Sequence, residues 1–113
     1  MLKTNNPISQ VDIENQIIRL LGDLESETEA FEVLAVDASK KEALYKSNWA
    51  KEYLSAKGSI KERESWADYK MDEIAYEYKI AEALVKAKRE KLLSLRTGID
   101  AMRTLNANVR AQV

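Results

Sequence analysis

Apolar side chains recur along this chain at steps of three and four, the spacing of one face of an α-helix. Strict alternation of β-branched and polar residues, the mark of a half-buried strand, occurs nowhere. Ile13, Ile17, Leu20, Leu24, Phe31 and Leu34 set the first helical face, with Glu27 as its one polar member. Ser9-Gln10-Val11-Asp12 follows the Pro7 turn and puts a hydroxyl three residues before a carboxylate, which predicts the start of that helix. Ser39-Lys40-Lys41-Glu42 has the form of a capping box, so a second helix is expected to begin near Lys40. It carries Tyr45, Trp49, Tyr53 and Ala56 on one drifting face. It is expected to stop at Lys57-Gly58, where glycine takes the left-handed conformation that follows a helix end. Ser59-Ile60-Lys61-Glu62 is a second capping box. The pattern predicts an all-α fold, with a flexible segment over residues 1–8 and a single helical domain over 9–113, its helices at about 9–37, 40–57 and 60–110.

The third helix carries the strongest pattern. Ala67, Met71, Ile74, Tyr78, Ala81, Val85, Lys88, Leu92, Leu95, Ile99, Met102, Asn106 and Val109 keep an unbroken 4-3-4-3 spacing, and all but Lys88 and Asn106 are apolar or aromatic. Such a heptad seam implies left-handed, coiled-coil-like packing against partner helices. Gly98 costs about 1 kcal/mol in a helix interior, but the seam keeps phase across it and continuity is expected. Roughly 50 residues would span on the order of 75 Å. Two shorter helices of the same chain would leave part of that length uncovered, so a helical homo-oligomer is expected, joined along Val85, Leu92, Leu95, Ile99, Met102 and Val109. Trp66, Tyr69 and Tyr76 share a second angular position, well away from the seam. They either pack on the preceding helix or form a subunit interface.

Composition narrows the chemistry. The 113 residues are 45% hydrophobic and 33% charged, with three glycines and one proline, as long exposed helices require. Histidine and cysteine are both absent. Nucleophilic cysteine, Ser-His and Cys-His pairs, most zinc sites and disulfides are thereby excluded, and no catalytic residue, metal site or cofactor is expected. The carboxylate pairs Asp72-Glu73 and Glu25/Glu29 read as solvated surface. Met1 to Gln10 is polar, and no run of about 18 apolar residues occurs; the expectation is a cytoplasmic protein without a membrane partner.

The net charge of −1 hides an asymmetry. Over residues 1–39, Lys3 and Arg19 stand against Asp12, Glu14, Asp23, Glu25, Glu27, Glu29, Glu32 and Asp37, a net −6. Over residues 79–113, Lys79, Lys86, Lys88, Arg89, Lys91, Arg96, Arg103 and Arg110 stand against Glu82, Glu90 and Asp100, a net +5. Either the two ends attract one another, or the basic end serves an external polyanion. Arg89, Arg96, Arg103 and Arg110 lie seven apart, a ladder beside the seam with rungs about 10.5 Å apart. As flank positions they would bridge to acids of a neighbouring helix, such as Glu25, Glu29 and Glu32. As a rail they would hold phosphates without reading sequence. Tyr45, Trp49 and Tyr53 sit among Lys40, Lys41, Lys46, Lys51, Lys57, Lys61 and Arg63. Bases could stack on those rings, although the spacing is equally that of a core stripe.

Leu44-Tyr45-Lys46-Ser47-Asn48-Trp49 followed by Ser59-Ile60-Lys61-Glu62 resembles the tyrosine-tryptophan and Ser-Ile-Lys segment of the UvsY-like recombination mediators of tailed bacteriophages. Gly98-Ile99-Asp100-Ala101-Met102-Arg103 is similar to that family's C-terminal stretch, and the match covers roughly residues 44–64 and 92–113. The resemblance implies a non-enzymatic protein of DNA recombination and repair. It would bind single-stranded DNA as an oligomer and load a recombinase in place of single-strand-binding protein. In that family the helix after Ser-Ile-Lys carries a basic run; here Asp68 to Tyr78 holds Lys70 against Asp68, Asp72, Glu73 and Glu77. The DNA contact is therefore expected at Lys57, Lys61, Arg63, Lys86, Lys88, Arg89, Lys91, Arg96, Arg103 and Arg110, with Tyr45, Trp49 and Tyr53 as base-stacking candidates. The alternative is a helical virion structural or assembly protein (connector, scaffold or chaperone) acting only through protein–protein contacts.

Overall fold

The computed structural model describes residues 9–112, and the expected flexible segment over 1–8 lies outside them. The fold is all-α: α1 spans Gln10–Ser55, α2 Ile60–Lys70 and α3 Asp72–Ala111. Ser9 caps α1 as its spacing predicts, its Oγ accepting from the Asp12 N–H at 3.1 Å.

The expected break at Ser39 does not occur. α1 runs through it as one helix of 46 residues. Its own heptad phase explains why: Ile13, Ile17, Leu20, Leu24, Glu27, Phe31, Leu34, Ala38, Lys41, Tyr45, Asn48 and Glu52 keep one 4-3 spacing, and every one is buried or half-buried. Leaving helical geometry at Ser39 would throw everything after it out of that seam. The residues of the apparent box serve as helix-surface pairs instead. Lys41 meets Asp37 at 3.0 Å and Lys46 meets Glu42 at 2.9 Å, both four residues apart. At Ser59 the same motif is a true cap. Ser59 accepts from the Glu62 N–H and Glu62 reaches back to the Ser59 backbone, opening α2. The difference is the preceding backbone, since α1 has already ended at Ser55 and Gly58 takes φ +112°.

The expected continuous helix from Ile60 is interrupted once. Met71, at φ −101° and ψ 12°, separates α2 from α3, while the Met71 N–H still donates to Ala67 O and the Ala75 N–H to Met71 O. The seam keeps its phase through this turn. Ala67, Met71, Ala81, Leu92, Ile99 and Asn106 are buried, and the intervening seam members are half-buried.

The described chain divides into two compact units. The first joins α1 up to Glu29 with α3 from Arg89 onward; the second is Ala30–Lys88. In the first, α1 and α3 run antiparallel: Leu20 lies against Gly98, and Glu27 pairs with Lys91 at 3.2 Å. In the second, Glu42 and Tyr45 of α1 meet Tyr78 of α3, and Trp49 and Glu52 meet Asp68 and Trp66 of α2. The seam is thus covered inside the chain. Val85, Leu92, Leu95, Ile99, Met102 and Val109, expected to join sibling chains, are buried or half-buried without one.

Candidate nucleic-acid interface

In the first unit the arginine ladder stands on α3. Arg89, Arg96, Arg103 and Arg110 are all exposed, each one residue after a seam position of the d type. Among the described residues, Glu25, Glu29 and Glu32 make no bridge to this row. Arg103 approaches Asp100 at 3.9 Å, the outer limit of an ion pair, with both groups solvated. Arg96 and Arg110 have no ion-pair partner among the described residues. Arg89 is engaged by another group of the chain, as is half-buried Lys88 of the second unit. Lys91 holds Glu27, which gives the one polar member of the α1 seam a counter-charge.

The other basic candidates lie in the second unit, and they do not form one patch. Lys57 and Lys61 are exposed around the α1–α2 turn. Arg63 is half-buried there, its guanidinium 6.0 Å from the Tyr53 ring centre and its Nε buried without a hydrogen-bond partner among the described residues. Lys86 is exposed about 25 residues further along, on the order of 35 Å at the helical rise.

Tyr45, Trp49 and Tyr53 are packing residues. Tyr45 stacks on Tyr78 with ring centres 5.7 Å apart, and Trp49 stacks on Tyr53 at 5.5 Å. Trp49 Nε1 donates to Asp68 at 2.8 Å and Trp66 Nε1 to Glu52 at 3.0 Å, tying α2 to α1. Each of these half-buried rings thus stacks one face on another ring of its own chain. Beside them, the Tyr78 hydroxyl lies between Glu82 and Glu42, at 2.9 and 3.0 Å. Hydrogen bonds to those carboxylates, Glu82 first, push its pKa up to about 12, since a phenolate there would face two negative charges. Glu42 is held below the usual carboxylate range by its hydrogen bond from Lys46 and then by that from Tyr78.

One surface extends beyond what the spacing of its aromatics suggested. Tyr69, Tyr76, Ile80 and Leu84 are exposed on α2 and α3, and Trp66 is only partly covered by α1. The continuing steps to Glu73, Ile80 and Ala83 were the signal available in the sequence. Among the described residues, no cluster of three or more metal-binding side chains occurs, and no helix is long and apolar enough to cross a membrane. No protein-family model, curated protein or solved structure matches this chain.

Proposed function

We propose that this chain is a non-enzymatic recombination mediator: an oligomer that binds single-stranded DNA and helps to load a recombinase in place of single-strand-binding protein. The observation that supports it is the exposed arginine row of α3, in which Arg96 and Arg110 have no ion-pair partner among the described residues and Arg103 has only a weak one. Guanidiniums at a regular rise suit a phosphate backbone and carry no base readout, so binding is electrostatic and tolerant of sequence. With the aromatics packed internally, base stacking is a minor term.

Fluorescence anisotropy with labelled oligonucleotides between 50 and 300 mM salt tests this reading. Four phosphate contacts on a single strand give a log–log slope of roughly −2.8, about a hundredfold loss of affinity over that range. Salt-insensitive binding, or none at micromolar protein, overturns it. A helical virion structural or assembly protein is the second reading, favoured by the uncovered aromatic face of α2 and α3. It predicts no DNA affinity at any salt concentration.

A further inference from the structure

The outer face of α2 and α3 in the second unit is apolar, and its own chain leaves most of it uncovered. Trp66, Tyr69, Glu73, Tyr76, Ile80 and Ala83 follow one another at steps of three and four, a second seam on the side away from the first. Tyr69 is 74% exposed and Tyr76 68%, large aromatic areas to leave in water side by side. Charges flank this stripe on both sides: Lys70 and Glu77 along one edge, Asp72 and Lys79 along the other. Asp72, Glu77 and Lys79 have no ion pair or hydrogen bond from their side chains among the described residues, and Lys70 only overlies the Trp66 ring at 5.3 Å.

We propose that this face pairs with the same face of a second copy of the chain, the two helices antiparallel about a two-fold axis. An isologous pair of this kind brings each residue against a fixed opposite, and the charges select the register. One alignment sets Trp66 against Ala83 of the second copy, Tyr69 against its Ile80 and Glu73 against its Tyr76. Large then meets small, and the one carboxylate in the stripe meets a phenol that donates to it. The same alignment places Lys70 beside Glu77 and Asp72 beside Lys79, and symmetry makes each pair twice. Sliding by one heptad in one direction sets Glu77 against Glu77 and Lys79 against Lys79. In the other direction Lys70 faces Lys70 and Asp72 faces Asp72. Both alternatives oppose like charges on both edges, so one register is favoured over its neighbours.

The inference rests on the self-association contained in the proposed function, and not on its DNA ligand. The chain has no cysteine, so introduced thiols report without interference. Tyr69→Cys and Ile80→Cys, prepared separately and mixed under mild oxidation without DNA, are expected to give a disulfide-linked dimer on a non-reducing gel. Each variant by itself is expected to stay uncross-linked, because in this register like positions lie eleven residues apart along the two helices. No dimer in the mixture, or as much dimer from each variant separately, overturns the proposal. Lys70→Glu is expected to weaken self-association about tenfold by light scattering, and adding Glu77→Lys to restore it. Failure of that restoration also overturns it. A wild-type mass of one subunit would remove both this interface and the oligomer of the proposed function. An oligomer without the mixed cross-link removes this face only, and the salt titration reports on DNA separately.

Discussion

Asn106 lies in a buried seam position, 7% exposed, and its Oδ1 has no hydrogen-bond partner among the described residues. An amide oxygen removed from water without a partner costs roughly 1–3 kcal/mol. Asn106→Leu, similar in length and apolar, is expected to raise unfolding stability by about 1 kcal/mol in chemical denaturation. An unchanged or lower midpoint would mean that the amide has a polar partner under those conditions. Tyr78 titrates in the opposite sense to most stabilising groups. Its folded pKa is raised from 10.0 to about 12, so the stability it contributes is complete below pH 10 and is lost as pH climbs toward 12. Thermal melts across that window should show a fall that Tyr78→Phe reduces. Glu42 acts at the other end: its lowered pKa contributes stability above its ordinary 4.5 that disappears on acidification.

At the scale of the helix, three glycines occupy unlike environments. Gly98 lies inside α3, and a Cβ there would meet Leu20 Cδ1 at 3.9 Å, an ordinary contact. Gly98→Ala is therefore expected to stabilise by about 1 kcal/mol, through helix propensity and reduced freedom of the unfolded chain. Gly22, inside α1, has nothing within 4 Å and permits the same exchange. Gly58 is the opposite case. At φ +112° the backbone disfavours any side chain, and a Cβ would meet Glu62 Oε2 at 2.7 Å, disturbing the carboxylate that completes the Ser59 cap. Gly58→Ala should lower the melting temperature while Gly98→Ala raises it, and circular dichroism melts of the two variants decide this together.

For the molecule as a whole, charge placement separates a specific rail from a general electrostatic effect. Arg96→Ala with Arg103→Ala and Lys57→Ala with Lys61→Ala each change the net charge from −1 by the same two units. The arginine pair belongs to the exposed row, whereas the lysine pair sits at the α1–α2 turn. Only the arginine pair is expected to reduce the salt slope of single-strand binding, by about 1.4, with helical content unchanged. Equal effects from both pairs would mean that overall charge, not the row, governs affinity.

Much of this architecture was legible in the chain. Every seam residue from Ala67 to Val109 is buried or half-buried, the box at Ser59 caps α2, and Gly58 adopts the left-handed conformation its position implied. Helical state and the identity of the inward face follow from local geometry, since a 3.5-residue period can place only one stripe of side chains on a packing surface. Two things were decided elsewhere. The Ser39 motif has the same local chemistry as the Ser59 motif, and only the packing of Ala38, Lys41 and Tyr45 keeps α1 helical through it. The company kept by the apolar stripe and by the arginines likewise depended on tertiary structure. Hydrophobic burial is non-directional, so a helix of the same chain satisfies the stripe as well as a helix of another, and whether a guanidinium finds a carboxylate depends on which flank the fold sets beside it.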